Sequence, residues 1–247
     1  MVGLRIFAQA NFSTLEESME SLPNGFTLEL NSGSFPLSTD SMVLSAFVHL
    51  PRNAQVLDLG SGCGTLGLLL CSRKEDCHIT GVELQNSSHL GALENIQRNN
   101  LSARMESICA DLRSVPSLLS AGGFSACVSN PPYFSGGPAS CQTPLARRED
   151  CCTPEDLFRS AAWALKYGGD FFLVHKPERM AELIAIASRF SLEAKRLGLV
   201  RHRENGPVAL ILLQFRKGGK PGLKWEDWTL HHADGTPTSL YHEIYHI

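Results

Sequence analysis

No C-x-x-C pair occurs among the eight cysteines, which stand at 63, 71, 77, 109, 127, 141, 151 and 152. That spacing excludes a zinc ribbon and a thioredoxin-type redox motif. Cys109 and Cys127 fall inside apolar, strand-like runs, where a free thiol packs as a small hydrophobe. The pattern fits a reducing, cytoplasmic compartment. No apolar run approaches the ~20 residues of a membrane span. The opening MVGLRIFAQANFSTLEES lacks the apolar core and small-residue cleavage site of a secretory signal. The absence of any period excludes coiled coils, collagen and repeat arrays. No Walker A lysine is present.

What remains is an ordinary globular chain of 247 residues, 43% apolar and 19% charged. It is long enough to bury a full core without disulfide or metal staples. The net charge of -3 hides an asymmetry. Between Lys195 and Lys224 stand eight Lys or Arg and one acid, Glu204, so this stretch carries +7 and the rest -10. A basic segment on an acidic body suggests a dock for a polyanion; the same charges also suit a solvated hairpin. Arg196, Arg201, Arg203, Arg216 and Lys217 are the candidate phosphate contacts.

Residues 1–38 read as an irregular extension, punctuated by Pro23, Gly25, Gly33 and Pro36. Thr39 and Asp40 are candidate caps of a helix running to about His49. Strands then alternate with helices. Residues 55–59, 78–83, 105–110, 124–129 and 171–175 read as strands, and 65–71, 87–99, 153–165 and 178–190 as helices. In the second helix Leu90, Leu93 and Ile96 form the expected apolar face. Thr153 as N-cap, Pro154 at the first helical position and Gly168 with Gly169 beyond the end mark the third. Two strands, 192–201 and 208–215, close the series as a hairpin. The alternation predicts an α/β fold with a doubly wound, mostly parallel sheet of seven strands and a C-terminal antiparallel hairpin. In such a sheet ligands sit at the C-terminal strand ends. The expected organisation is an extension to residue 38, a domain over 39–217 and a tail over 218–247 packed on or beside it.

The first of these strands runs into Asp58, Leu59, Gly60, Ser61, Gly62, Cys63 and Gly64. Alternating glycines let a backbone approach a ligand closely. Glu83 closes the next strand nineteen residues after the last glycine, where a carboxylate can accept both hydroxyls of a ribose. The loop holds no basic residue, which argues against a pyrophosphate and suits a nucleoside with a cationic tail. The fourth strand ends in Ser129, Asn130, Pro131, Pro132, Tyr133 and Phe134. Two prolines remove two backbone donors and lock φ, and Asn130 adds a side-chain carbonyl acceptor. Two fixed acceptors match the two hydrogens of a planar NH₂ group, and Tyr133 offers a face for stacking.

The glycine loop with its following acid resembles motif I of the class I S-adenosylmethionine-dependent methyltransferases. Asn-Pro-Pro-Tyr resembles the tetrapeptide of those that modify planar amines: adenine N6, cytosine N4, guanine N2 or a protein glutamine amide. FPLSTDSMVLSAF, VLDLGSGCG, GVELQ, NPPYF, the Ala-Arg-Arg-Glu stretch at 146–149 and a terminal Tyr-x-Glu-Ile-Tyr at 241–245 are similar to the bacterial tRNA1(Val) (adenine-N6)-methyltransferase family. The resemblance implies the class I methyltransferase fold and a cytoplasmic enzyme of tRNA modification. It implies S-adenosylmethionine as cofactor and tRNA as partner, with no metal and no membrane. It further implies Asn130, Pro131 and Tyr133 as catalytic residues. Asp40, Asp58, Gly60, Gly62, Gly64, Glu83, Asp111, Leu112 and Asn130 would surround the cofactor, Asp111 at the adenine amine and Leu112 on its ring. Pro132, Tyr133, Phe134, Arg147 and Arg148 would join the basic stretch at the substrate. Methylation of a protein glutamine amide, or of adenine in another RNA or in DNA, is the alternative activity.

His242, Glu243 and His246 spell H-E-x-x-H, the pattern of zinc proteases. The chain as given ends one residue later, leaving no room downstream for a third ligand, so chance is the better reading. A non-catalytic RNA-binding module is the remaining competitor, and the intact Asn130 and glycine loop speak against it.

Overall fold

The structure is a computed structural model, and it describes residues 18–22, 25–30, 37–131 and 152–245. Pro132, Tyr133, Phe134, Arg147, Arg148 and His246 lie outside the described residues. A short antiparallel hairpin, β1 (Ser18–Ser21) and β2 (Thr27–Leu30), comes first, within a stretch expected to be irregular. Helix α1 (Thr39–Phe47) follows, capped by Ser38 rather than by Thr39 or Asp40. Its cap hydroxyl accepts from the Ser41 amide at 3.3 Å, satisfying one orphan donor of the first turn.

The regular alternation then begins. Its first half is β3 (Gln55–Leu59), α2 (Thr65–Arg73), β4 (His78–Glu83), α3 (Asn86–Arg98) and β5 (Met105–Cys109). A one-turn α4 (Val115–Leu118) leads to β6 (Phe124–Ser129). Helix α5 (Pro154–Ala164) has Thr153 as its N-cap, as expected, and the structure adds a reciprocal capping box with Asp156. It stops at Ala164 rather than at Gly168, because β7 (Leu165–His175) already pairs with β6 from Leu165. Helix α6 (Met180–Arg189), β8 (Leu192–Arg201) and β9 (Leu210–Lys217) complete the expected series.

The sheet has eight strands rather than seven, in the order β10-β8-β9-β7-β6-β3-β4-β5. The extra strand, β10 (Lys224–Thr229), comes from the stretch set apart as a tail and runs parallel to β8 at the edge. Only β9 runs against its neighbours. A last helix, α7 (Ser239–Tyr245), packs on the same side as α1.

Side chains alternate across the strands, so successive residues feed two cores. Val56, Ile79, Val128, Phe172 and Val174 face α1, α2 and α7. Leu57, Leu59, Cys127, Phe171 and Leu173 face α5 and α6. Phe158 of α5 meets Phe171 and Phe215 edge-on, each at 5.3 Å between ring centres. A fully buried ring of this kind contributes about 1.5–3 kcal/mol through burial.

Helix α3 departs from its pattern. Leu90 and Leu93 are exposed, and the buried positions are Gly91, Ala92, Asn95 and Ile96. The reason is the N-terminal hairpin, whose β2 backbone is held by two side-chain amides one helical turn apart. Asn99 accepts from the Thr27 amide and donates to the Thr27 carbonyl, both at 2.8 Å. Asn95 does the same for Glu29, at 2.8 and 3.0 Å, and also donates to the Cys63 carbonyl of the glycine loop at 3.1 Å. Asn95 is fully buried, so truncation strands several backbone groups away from water. Each such group costs about 1–3 kcal/mol. Asn95→Ala is expected to lower the free energy of unfolding by about 2 kcal/mol, measured by urea denaturation; an unchanged midpoint and slope would contradict the clasp.

Candidate active site

From β3 the chain first winds outward through β4 and β5, then returns to place β6 on the other side of β3. The crevice of a doubly wound sheet opens at that reversal, beyond the C-terminal strand ends. The glycine loop leaves β3 there, and Asn130 leaves β6. The two strands pair as far as Asp58 and Val128. Beyond that point the Ser129 hydroxyl, rather than the backbone, donates to the Leu59 carbonyl at 2.7 Å.

Gly60, Gly62 and Gly64 have φ of +74°, +57° and +86°, a region that L side chains rarely enter. The spacing of one residue between glycines is therefore a backbone requirement. A Cβ at Gly60 or Gly62 would meet nothing within 4 Å, so the loop borders open space on its outer side. The Gly60 and Ser61 amides both donate to the Val82 carbonyl, at 2.9 and 3.2 Å. Glu83 braces the same loop: Oε2 accepts from the Gly62 amide at 2.9 Å and Oε1 from the Gln85 amide at 2.8 Å. Each carboxylate oxygen keeps a second acceptor direction.

Asp58 is buried, and its Oδ2 has no hydrogen-bond partner among the described residues. Burial first, and the Glu83 charge second, push its carboxyl up to about 7. An orphaned acidic oxygen beside an open glycine cradle and a second carboxylate fits a nucleoside that carries a positive charge.

Asn130 is half-buried, and its Nδ2 donates to the Ser41 hydroxyl of α1 at 3.0 Å. Pro131 beside it is buried. Asp40, the neighbour of Ser41, has its carboxyl pushed up by burial, opposed by the charges of Lys176 and His202. Asp111 caps the turn over Leu112–Ser114 and forms a 2.5 Å ion pair with Arg113. The Arg113 hydrogen bonds hold its carboxyl below the usual carboxylate range. Leu112 is half-buried and packs against the α5 side of the sheet.

The five basic residues expected to form one dock are not brought together. Arg201 and Arg203 stand at the end of β8 that shares the crevice side, since β8 runs parallel to the central strands. Arg196 lies mid-sheet, with its guanidinium 4.2 Å over the Phe47 ring and paired to Glu226 at 2.9 Å. Arg216 is opposite Asp170 near the start of the central part of β7, and forms two 2.9 Å bonds to it. Lys217 donates to the Leu165 carbonyl at 2.7 Å. Arg216 and Lys217 thus sit at the far end of the sheet from Asn130. Arg201 donates to the Gly206 carbonyl at 2.6 Å. Arg203 is exposed and has no ion-pair partner among the described residues.

His242 and Glu243 are exposed on α7. That helix is tied down by Arg73, which donates to the Ile244 carbonyl at 2.5 Å. Among the described residues no group of three His, Cys, Asp or Glu is placed to hold a metal ion. No helix among them is long and apolar enough to cross a membrane.

A family model described as the methyltransferase small domain matches residues 38–192. The chain belongs to that family. Among curated relatives, the tRNA1(Val) (adenine(37)-N6)-methyltransferase of Dickeya chrysanthemi is 32% identical over 74% of each chain. The enzyme of that name from Shewanella halifaxensis is 32% identical over 64% of each. A crystal structure described as a predicted O-methyltransferase of Agrobacterium tumefaciens superposes with a TM-score of 0.71, at 22% identity, over 84% of this chain and 96% of that one. Geranyl diphosphate C-methyltransferase of Streptomyces coelicolor, solved with S-adenosyl-L-homocysteine, reaches 0.53 at 11% identity over 72% and 76%. The fold is therefore the class I methyltransferase fold that the resemblance implied, and the chain is a methyltransferase.

Three residues of the site escaped the sequence reading. Ser41 and Ser129 are small polar residues at the edges of apolar runs, and only the fold shows what they touch. Leu84 had a usable signal: an apolar residue directly after the strand-end acid. It is 51% exposed beside Glu83.

Proposed function

We propose that this methyltransferase transfers the methyl group of S-adenosylmethionine to the exocyclic N6 amine of an adenine in tRNA, beside the anticodon, in the cytoplasm. The observation that carries the reading is that Asn130 and Pro131 leave β6 at the same end of the sheet as the glycine loop and the orphaned Asp58 oxygen on the neighbouring β3. The names of the relatives support the choice of an adenine in tRNA.

When bound, S-adenosylmethionine supplies an electrophilic methyl group on a positively charged sulfur. The chain's own part is to bind, orient and polarise. Asp58 places negative charge at the cationic part of the cofactor. Glu83 uses its free acceptor directions for the ribose hydroxyls while its bonds to Gly62 and Gln85 keep it still. Asp111 and Leu112 flank the purine, and Asp40 closes the α1 side. At the other wall, Asn130 Oδ1 and the Pro131 carbonyl accept the two hydrogens of the target amine. That bonding favours a more tetrahedral nitrogen and draws its lone pair out of the ring. Tyr133, with Pro132 and Phe134, stacks a base turned out of a loop, as recognition of single-stranded RNA requires. Alignment of this kind can supply up to ~7–11 kcal/mol of the barrier.

Asp58 makes cofactor binding depend on pH. An unfolded aspartate releases its proton near 3.9, whereas the folded one holds it until about 7. The free protein therefore loses stability as pH rises through that window and levels off above it. A cation beside Oδ2 favours the ionised form, so affinity for S-adenosylmethionine should rise with pH to about 7 and then plateau. Calorimetry at about pH 6 in buffers of different ionisation enthalpy should show proton release on binding. Asp58→Asn should abolish that release; release unchanged in the variant would assign it elsewhere.

Arg203, with Arg147 and Arg148, is the natural contact for phosphates next to the target base. Arg203→Glu should weaken tRNA binding and reduce the salt slope by about 0.7, one single-strand phosphate contact. Arg216→Glu should leave that slope unchanged, since Arg216 is paired at the far end of the sheet. Equal effects from both would restore the extended dock.

A further inference from the structure

We propose that Ser41 is a positioning residue that anchors the Asn130 amide so that its oxygen stays on the target amine; this rests on the reading of Asn130 given above. A primary amide has two unlike ends. Its oxygen only accepts and its nitrogen only donates. The amine to be methylated presents two N–H donors. The Asn130 oxygen can receive one of them, whereas an amide turned over by 180° would set donor against donor. Pro131 gives the strand end no backbone N–H at that position, so the neighbouring main chain cannot choose between the two.

The amide is anchored from α1. The Ser41 oxygen lies 3.0 Å from Asn130 Nδ2 and accepts its hydrogen. Ser41 is 6% exposed, so water competes weakly for that bond. Its own position is held by the helix start: the Ser41 amide donates to the Ser38 cap hydroxyl at 3.3 Å, and that hydroxyl reaches the Ser41 oxygen at 3.4 Å. With Nδ2 engaged by Ser41, Oδ1 is the end left for the crevice. The cap of α1, 89 residues before Asn130 in the chain, thereby orients the group that grips the substrate. Losing the hydroxyl removes that anchor and lets the amide turn out of its productive alignment.

The test combines kinetics with a direct readout of the amide. Ser41→Ala should lower kcat about 10-fold, one hydrogen bond's worth of orientation, with KM for S-adenosylmethionine and for unmodified tRNA within about twofold. Ser41→Thr keeps the hydroxyl and should restore most of the rate. In an Asn130→Ala background, Ser41→Ala should cost nothing more, since the residue acts only through Asn130. Independently of turnover, ¹⁵N spectra should show the Asn130 side-chain NH₂, assigned by its loss in Asn130→Ala, exchanging faster with solvent in Ser41→Ala. Wild-type kcat in Ser41→Ala with an impaired Asn130→Ala overturns the role of Ser41. So does an equal loss in both backgrounds, or an NH₂ signal that Ser41→Ala leaves unchanged. A fully active Asn130→Ala instead overturns the reading of Asn130 itself, whatever the amide spectrum shows.

Discussion

Asn130→Ala should lower kcat by about 100-fold or more, the scale of losing one preorganised group that stabilises a transition state. Affinities for tRNA and S-adenosylmethionine should stay within a few-fold of wild type. The amine nitrogen becomes more tetrahedral as its lone pair turns toward the methyl group, and Asn130 grips its hydrogens most strongly then. An interaction made mainly in the transition state appears in kcat rather than in ground-state binding. Asn130→Asp is the sharper control. It retains an acceptor of the same size, the Ser41 hydroxyl can donate to it, and the cofactor's positive charge offsets its own. It should keep more activity than Asn130→Ala. Single-turnover rates of the three proteins check the order, and a wild-type rate in Asn130→Ala would remove Asn130 from the chemistry. At Tyr133, Phe should be nearly silent and Ala damaging if the ring serves only for stacking.

The second large effect belongs to cofactor binding. Glu83→Ala should weaken S-adenosylmethionine binding by about 1.5–3 kcal/mol, the range for hydrogen bonds to a charged group. Two losses combine in that figure. The ribose hydroxyls lose their acceptor, and the Gly62 amide loses the carboxylate that holds the loop at 2.9 Å. Glu83→Gln should fall between wild type and Ala, because one oxygen remains while its NH₂ faces a backbone donor, either Gly62 or Gln85. Titration calorimetry with S-adenosylmethionine measures all three, and an unchanged affinity in Glu83→Ala would place the ribose elsewhere.

How much of this was legible beforehand depended on the range of the interactions involved. The central strands announce themselves because buried parallel strands are continuous apolar runs, and the glycine triplet because three positive φ angles need three glycines. Strand β10 was invisible: of its six residues only Trp228 is buried, so its pairing with β8 leaves little hydrophobic pattern. The face of α3 was misread because Asn95 and Asn99 look like solvent-facing polar residues, and only the β2 backbone reveals them as a clasp. Charge counting in the basic stretch found the arginines but not their partners. Asp170 lies 46 residues from Arg216 and Glu226 lies 30 residues from Arg196, too distant for a local pattern to pair them. The Ser41 contact to Asn130 is longer in range still, and a serine in an apolar helix carries no mark of it.

The most direct measurement of the central claim is the identity of the methylated product. Purified protein would be incubated with methyl-labelled S-adenosylmethionine and, in parallel, unmodified tRNA or a release factor carrying a glutamine substrate loop. The products would be digested and analysed by mass spectrometry. Label is expected in tRNA as N6-methyladenosine beside the anticodon, formed at least ~100-fold more slowly with Asn130→Ala, and none in the protein substrate. Label on a protein glutamine, or tRNA recovered without N6-methyladenosine, would contradict it.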